Sequence, residues 1–308
     1  MNYFEQFKKN GYVIISNVFD KNQLMHVRSI LRKNFSERNN PKLLNVHETN
    51  NSNIFLKDIF LNEKVLDVIQ KIFPEEYYGK LSFFPPFQIM RNFFPRYSKH
   101  TWHIDASGEY RYDFCKKILR ENDYLFGKIG IYLQKNTNMG GQIDIIKKSQ
   151  INYSKFDLIS QIKKTYLKLK MNFVKNLDVK NKFKFEKKIL KYDRLDINVG
   201  DIIFFDSRIF HRATPIDPNN EVKINFEENN NYVKDMDEPS CKYALYYQFG
   251  NEKGFNSYWY DRSKRTDSIK EKEEWAQTKQ LIKNFYSKKI NDIPDIIKLS
   301  VKRISKII

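Results

Sequence analysis

The chain has 308 residues, a formal net charge of +18, and 15% aromatic and 30% charged residues. A chain of this length can form one large domain with added elements or two small ones, and its aromatic residues can fill a sizeable core. The composition excludes an intrinsically disordered chain, and no apolar run is long enough to span a bilayer.

The positive charge comes mostly from lysines that are scattered along the chain, with local density at 163–188 and 298–306. Nucleic-acid-binding proteins concentrate Lys and Arg in one stripe, so a nucleic acid is the less favoured partner. A small anionic substrate, such as a phosphate, a nucleotide sugar or a thioester of coenzyme A, is compatible with this charge.

The cysteines and the N-terminal residues favour a cytoplasmic location. Cys115 and Cys241 are too few for a disulfide framework, and they form no metal-type pair. Residues 1–9 contain no signal-peptide apolar core. We therefore expect a reducing environment.

The N-terminal part of the chain alternates helical and extended patterns. Residues 3–9 favour a short helix, residues 11–15 a strand, and residues 21–35 a helix that Asp20 caps. The Asn-rich stretch after it, up to residue 55, is predicted to be a loop. A further helix is predicted over residues 56–73 and ends at Pro74, because proline cannot continue a helix.

From residue 80 the pattern becomes β. The predicted strands are 81–84, 87–93, 102–105, 128–134, 142–146, 195–199, 202–205 and 242–250. Short strands with turns and no alternation with crossover helices predict a mainly β fold with flanking helices, an antiparallel sandwich or barrel.

Two segments break the β pattern. Residues 154–190 place apolar side chains at helical spacing between lysines, which predicts a helical insertion whose lysines face solvent. Residues 263–308 form a charged helical tail after a first domain of residues 1–262. In the tail, Ile297, Val301, Ile304 and Ile308 share one helical face. This face either packs on the barrel or on a second subunit, or makes weak contact with an anionic membrane surface.

The chemistry centres on two stretches far apart in the chain. His103 and Asp105 are two residues apart on an extended segment, so their side chains point to the same face. His211 follows an apolar strand and a Gly200-Asp201 turn, and it supplies a third candidate ligand. Two histidines and one carboxylate that leave coordination positions open form the facial triad of non-haem Fe(II) oxygenases.

These motifs resemble the phytanoyl-CoA dioxygenase family of Fe(II)- and 2-oxoglutarate-dependent oxygenases. The resemblance begins at residues 7–14, continues through residues 102–105, 132–134 and 140–141, and includes residues 200–212. It covers roughly residues 1–250. None of these motifs is specific to a substrate.

The resemblance implies a double-stranded β-helix with Fe(II) bound by His103, Asp105 and His211. It also implies 2-oxoglutarate as co-substrate, whose far carboxylate the family usually anchors with an Arg on the strand after the second histidine. Here that strand begins with Lys242, which provides a point charge rather than a bidentate fork. Arg208 and Arg212 are the alternatives, although Arg212 follows a ligand directly and should point away.

Two further polar residues, Tyr132 and Gln88, lie on faces that line the barrel and are candidates for hydrogen bonds to the co-substrate; ordinary interior packing is the other interpretation of both.

The activity implied is O₂-dependent hydroxylation of a C–H bond in a small-molecule, acyl or glycan-type metabolite. Halogenation is disfavoured, because related halogenases replace the carboxylate ligand that Asp105 provides here. A non-catalytic jelly-roll protein that retains the metal site, or an oxygenase acting on nucleic acid, are the rival hypotheses.

Overall fold

Two antiparallel sheets face each other in the structure of the protein, a computed structural model. The residues that the structure describes are 2–37, 43–50, 52–78, 80–93, 102–133, 143–151, 157–215, 241–264, 268–286 and 295–305. The strands within them are β1 (Tyr12–Ile15), β2 (Leu43–Asn45), β3 (Ser82–Phe93), β4 (Phe126–Tyr132), β5 (Ile143–Ile145), β6 (Asp193–Arg194), β7 (Ile202–Asp206), β8 (His211–Ala213) and β9 (Cys241–Gly250). The α-helices are α1 (Tyr3–Asn10), α2 (Lys21–Glu37), α3 (Ser52–Phe55), α4 (Glu63–Ile72), α5 (Glu75–Tyr78), α6 (Asp113–Ile118), α7 (Leu158–Lys175), α8 (Val179–Leu190), α9 (Glu252–Ser263), α10 (Ser268–Tyr286) and α11 (Asp295–Ser305).

The order of the strands confirms the predicted double-stranded β-helix. The larger sheet has the order β1-β7-β4-β9-β3-β2, and the smaller sheet has the order β6-β5-β8. His103 extends the smaller sheet through an isolated bridge to His211 on β8. From β3 onward the chain passes back and forth between the sheets, so segments distant in sequence face each other across one interior.

The larger sheet buries both of its faces. On β4, Ile129 and Ile131 point outward into the main core, where the N-terminal helices cover the sheet. Tyr132 and residues of β7 such as Phe205 point inward, against Ile143 of the smaller sheet. The alternation of side chains along each strand therefore decides which residues reach the interior.

The helical insertion covers the outer face of the smaller sheet. Helices α7 and α8 lie between β5 and β6 in the chain and pack on this sheet through Leu167, Val174 and Leu190. Their partners include Ile104 and Phe210, the residues next to two of the candidate ligands. The insertion thus packs against the segments that carry the candidate ligands, on the face of the smaller sheet opposite the interior.

The Gly200-Asp201 pair shapes the turn that leads into β7. Gly200 has a φ of 99°, and a Cβ there would lie 2.5 Å from the carbonyl oxygen of Phe19. The Asp201 carboxylate accepts hydrogen bonds from the backbone N–H groups of Asn17 and Asn198. Both residues of this motif therefore have structural roles that fix the start of the strand before His211.

Four sequence expectations about local structure are wrong in part. The strand expected at 102–105 is reduced to an isolated bridge at His103, and Asp105 begins a 3₁₀ turn. The stretch up to residue 55 is not all loop, because it contains β2 and α3. Residues 195–199 do not form the expected strand; the short β6 ends just before them, at Arg194, although Leu195 and Ile197 still fill the interior. The strands expected at 81–84 and 87–93 form the single strand β3, with a register irregularity between Phe84 and Gln88.

The tail helix α11 packs against β3. Ile296 and Ile297 are buried in the main core, and the charged residue Arg303 is buried as well. Arg303 donates hydrogen bonds to the Ser82 hydroxyl and to the carbonyl oxygens of Gly250 and Lys80. The packing alternative therefore describes this helix, while the proposed domain boundary at residue 263 stays a prediction. Among the described helices, none combines the length and the apolar character needed to cross a membrane.

Candidate metal centre

Backbone pairing brings the two histidines together. The N–H of His103 donates to the carbonyl oxygen of His211 at 3.0 Å, and the N–H of His211 donates back to His103 at 2.9 Å. Their rings lie side by side, with centroids 4.4 Å apart. Residues directly opposite each other in an antiparallel pair share one face, so both imidazoles lie on the same side, with His211 buried and His103 exposed.

Asp105 joins them from the 3₁₀ turn that follows the His103 segment. The turn covers Asp105–Ser107, and the N–H of Ala106 donates to the carbonyl oxygen of Ser207 at 3.0 Å. This bond ties the turn to the end of β7. The ammonium of Lys128 on β4 lies 3.0 Å from one carboxylate oxygen of Asp105, Oδ1.

One ligand atom from each of the three side chains lies within 4.8 Å of the others, so His103, Asp105 and His211 can hold a metal ion. The second carboxylate oxygen of Asp105, Oδ2, is buried and has no hydrogen-bond partner. It lies 3.7 Å from Nε2 of His211. A buried carboxylate oxygen without a donor is costly, and a cation bound between these atoms would satisfy it. The residues therefore fit a divalent metal.

The hydrogen bonding of His211 favours metal binding through one specific nitrogen. Its Nδ1 lies 3.1 Å from the carbonyl oxygen of Ile209, which can only accept a hydrogen bond. Nδ1 therefore carries the proton, and Nε2 is left with a lone pair facing Asp105. Burial lowers the pKa of His211 to about 4, so the ring is neutral at physiological pH. A neutral imidazole is the form that binds metals.

Aromatic hydroxyl groups line the interior beside the three ligands. The hydroxyl of Tyr132 on β4 lies 2.8 Å from that of Tyr246 on β9. Burial raises the pKa of Tyr246 to about 12, and the nearby carboxylate of Asp105 also raises it. Gly130 leaves room for this ring, since a Cβ there would lie 3.1 Å from a ring carbon of Tyr246. Both hydroxyls are therefore protonated; one donates to the other, which leaves one proton of the pair to donate elsewhere.

Gln88 and Lys242 lie on neighbouring strands of the larger sheet, β3 and β9. Gln88 on β3 is half-buried and pairs with Tyr246 on β9. Lys242 pairs with Asn92 near the start of β9. The side chain of Lys242 lies outside the part that the structure describes.

The two alternative arginines are engaged away from the metal centre. Arg208 is buried and makes a bidentate ion pair with Asp206, and it also donates to the carbonyl oxygen of Leu119. Arg212 points to the outer face of the smaller sheet, where it is held between the carboxylates of Asp144 and Glu186. The expectation that Arg212 points away from the ligands agrees with this arrangement.

The outer neighbours of the two histidines contact each other as well. The guanidinium of Arg212 lies 4.5 Å from the ring centre of Trp102, and Trp102 donates to Glu186 at 3.0 Å. A cavity of about 380 Å³ between α7, α8 and these residues is lined by Trp102 and Phe210. It contains none of the three ligands, so it lies behind the metal centre rather than in it.

Two site residues did not emerge from the sequence patterns as candidates. Lys128 is four residues before Tyr132 on β4, and Tyr246 is four residues after Lys242 on β9. Each therefore shares a strand face with a residue that the sequence did identify as a candidate. The signal that could have found them is this alternation, because it places them on the interior faces of β4 and β9. What the sequence does not contain is the distance from either residue to Asp105.

Comparison with known proteins gave similarity to solved structures only. No family model matches the sequence, and no curated protein matches it. The chain is similar to HygX from Streptomyces hygroscopicus with nickel and 2-oxoglutarate bound, at 11% identity, covering 80% of this chain and 85% of that one, with a TM-score of 0.46. It is similar to EvdO2 from Micromonospora carbonacea var. aurantiaca at 14% identity, covering 80% and 89%, with a TM-score of 0.44.

It is also similar to SnoN, a non-haem alpha-ketoglutarate-dependent epimerase from nogalamycin biosynthesis, at 9% identity. That match covers 80% of each chain with a TM-score of 0.44. At these sequence identities and TM-scores the similarity carries no functional argument, so the functional assignment depends on the residues of the site.

Proposed function

We propose that this protein is an Fe(II)- and 2-oxoglutarate-dependent oxygenase of the phytanoyl-CoA dioxygenase type. The observation that carries the proposal is the convergence of His103, Asp105 and His211, with one buried carboxylate oxygen left without a donor. Two histidines and a carboxylate occupy one face of a metal ion and leave its other positions open, and this donor set is typical of non-haem Fe(II) oxygenases.

Each ligand has a defined task in this proposal. His211 presents Nε2 because Ile209 holds its other nitrogen, and His103 is fixed beside it by the backbone bridge. Lys128 orients Asp105 by binding Oδ1, which directs Oδ2 towards the two rings. When bound, Fe(II) supplies the oxidising chemistry that couples conversion of 2-oxoglutarate to succinate and carbon dioxide with insertion of oxygen from O₂ into a C–H bond.

The larger sheet supplies the groups that we assign to 2-oxoglutarate. Lys242 is proposed to neutralise the far carboxylate, since Arg208 and Arg212 are already bound to acidic partners. Tyr132 and Gln88 are proposed to donate hydrogen bonds to the co-substrate from the same face of the sheet. The buried aromatic side chains around them, such as Phe205, keep water away from the metal.

The substrate proposed is a small-molecule, acyl or glycan-type metabolite that is hydroxylated at carbon. The open side of the site lies at His103, which is exposed, whereas His211 is buried. A substrate carbon can therefore approach from the His103 side, while the rigid sheets hold the ligands.

The proposal is tested with the purified chain and its Asp105→Ala variant. We expect succinate formation from 2-oxoglutarate that requires added Fe(II) and O₂ in the wild type, and none above background in the variant. Far-ultraviolet circular dichroism serves as the control for folding, and anaerobic Co(II) titration measures the metal site separately.

Equal succinate formation by the two proteins would overturn the ligand assignment. Tight Co(II) binding without any succinate formation from 2-oxoglutarate, across a panel of metabolites, would instead support the non-catalytic metal-binding alternative.

A further inference from the structure

The longest helix of the insertion, α7, carries an apolar stripe that nothing covers among the described residues. Its side chains remain 58% to 75% exposed, which is unusual for large apolar residues along a single helix. The members of the stripe are Leu158, Ile159, Ile162, Tyr166, Leu169 and Phe173. Their spacing of mostly three or four residues places them on one continuous face. Contiguous exposed apolar patches mark interaction surfaces, whereas scattered single residues do not.

The opposite side of α7 fixes the helix in this orientation. Leu167 and Val174 are buried against the smaller sheet, and Ser160 is buried near the N-cap Asp157. The spacing of the apolar residues predicts the helix but not which of them pack. The structure uses Leu167 and Val174 for packing, so the stripe is an additional apolar face.

Positive charge borders the stripe. Helix α7 contains five lysines and no acidic residue. The hairpin of α7 and α8, residues 157–190, contains ten lysines and three acidic residues. Lys163 and Lys170 lie one helical step to the side of the stripe, and the Lys170 ammonium lies 4.3 Å from the ring centre of Tyr166.

We propose that α7 is a docking surface for an anionic membrane. An apolar face bordered by lysines matches a bilayer whose headgroups are negative and whose interior is apolar. Lysine side chains can extend along the apolar surface and keep their ammonium groups at headgroup level. The helix would lie parallel to the membrane plane, over a length of roughly 27 Å at the usual helical rise.

The charge of α7 disfavours the other occupants. A second copy of the chain docked stripe to stripe would bring lysines against lysines, and such like-charge contacts are unfavourable. A nucleic acid would use the lysines but would leave the six apolar side chains in water. The anionic lipid surface is the partner that satisfies both features. The proposal does not depend on the iron chemistry proposed above.

Vesicle co-sedimentation with the full-length chain tests the proposal. The wild type is expected to bind mixed phosphatidylcholine–phosphatidylglycerol vesicles, and to bind pure phosphatidylcholine vesicles much less. The triple variant Ile162→Gln, Leu169→Gln, Phe173→Gln should bind the mixed vesicles at least about tenfold more weakly, because binding scales with the apolar area inserted. Its thermal midpoint should not fall, because all three side chains are exposed.

Two control variants separate the stripe from general surface properties. Met25→Gln, Phe114→Gln, Ile269→Gln removes the same number of exposed large apolar residues elsewhere and should bind like the wild type. Lys298→Gln, Lys302→Gln removes two exposed charges from α11 and should also bind like the wild type. Lys163→Gln, Lys170→Gln removes two charges beside the stripe and should weaken binding several-fold.

Three outcomes would overturn the proposal. The first is absence of vesicle binding by the wild type, and the second is equal binding by the stripe variant and the wild type. The third is a dimer, seen by analytical ultracentrifugation, that the stripe variant loses while vesicles have no effect, because the occupant would then be a second copy. Succinate formation without vesicles is measured in parallel, so a failed oxygenase assignment and a failed docking surface are distinguishable.

Discussion

The ammonium of Lys128 lies 3.0 Å from Oδ1 of Asp105, while Oδ2 of the same carboxylate is buried without a hydrogen-bond partner. Burial by itself would raise the pKa of Asp105, but Lys128 and the two imidazoles outweigh it and hold the pKa below its usual value. The carboxylate is therefore charged, and one of its oxygens is directed towards the two histidines. Lys128 acts as a positioning residue for the metal ligand.

Lys128→Met is expected to weaken metal binding. Without the ammonium, Asp105 loses the partner that orients it, and loss of such partners typically costs about 10- to 100-fold in metal affinity. The measurement is the Co(II) dissociation constant from anaerobic titration. Lys147→Met is the matched control, because Lys147 pairs with Asp193 at 2.7 Å away from the metal centre. Equal Co(II) affinities of the Lys128 variant and the wild type would show that Lys128 does not position the ligand.

Lys242→Ala is expected to raise the apparent KM for 2-oxoglutarate by about tenfold or more, since a charge-assisted contact to the far carboxylate is lost. Metal affinity should change much less, because Lys242 is not a ligand. Steady-state succinate formation at varied 2-oxoglutarate, together with Co(II) titration, measures the two effects separately.

Arg212→Ala provides the comparison for Lys242. The substitution removes the guanidinium between the buried carboxylates of Asp144 and Glu186, and Asp144 keeps only that of Arg194; breaking such a buried pair typically costs about 3–5 kcal/mol of stability. Urea denaturation should therefore detect the change, while any folded fraction keeps its KM for 2-oxoglutarate. A raised KM for the Arg212 variant, with an unchanged KM for the Lys242 variant, would reverse the assignment.

The stability of the protein is expected to depend on pH through Glu109. Burial raises the pKa of this carboxyl to about 8, the Ser257 hydroxyl bond lowers it, and Asp261 raises it. The folded-state pKa lies above the ordinary value of 4.5, so the folded protein binds the Glu109 proton more tightly than the unfolded chain does. The contribution of this proton to the free energy of unfolding is complete below pH 4.5 and is lost as pH rises through 8.

Glu109→Gln should remove this dependence, because glutamine does not titrate. Relative to the wild type, the variant should gain stability between pH 5 and pH 8 at up to about 1.4 kcal/mol per pH unit. Urea denaturation over this range measures the difference, and Glu273→Gln on the exposed side of α10 serves as the control. Parallel stability curves for the Glu109 variant and the wild type would contradict the prediction.

Arg303→Met is expected to destabilise the protein by about 1–3 kcal/mol, because the buried hydroxyl of Ser82 and the buried carbonyl oxygen of Gly250 lose their donor. Lys302→Met is the control one residue earlier, where the side chain is exposed and the expected change is within about 0.5 kcal/mol. Urea denaturation compares the two. Equal midpoints would mean that α11 does not depend on Arg303 for docking.

Local patterns in the sequence predicted most of the elements and identified the three candidate metal ligands that the structure brings together. Asp20 accepts hydrogen bonds from the backbone N–H groups of Asn22 and Gln23, as expected for the cap of α2. The alternation of side chains along an extended chain predicted the strand before His211. It also placed His103 and Asp105 on one face; Ile104 between them is extended, although Asp105 itself begins a 3₁₀ turn. Such patterns depend only on neighbouring residues, so the sequence contains them in full.

The tertiary structure decided which polar and apolar residues face inward. Arg303 is buried although its helical position is polar, because it satisfies carbonyl oxygens at the end of β3 and β9. Leu169 and Phe173 are exposed although their spacing favours packing, because Leu167 and Val174 already fill the contact of α7 with the smaller sheet. Strand pairing also brought Lys128 to Asp105 and joined His103 to His211. Periodicity defines the faces of a strand or helix, but only the packing of distant segments determines what each face meets.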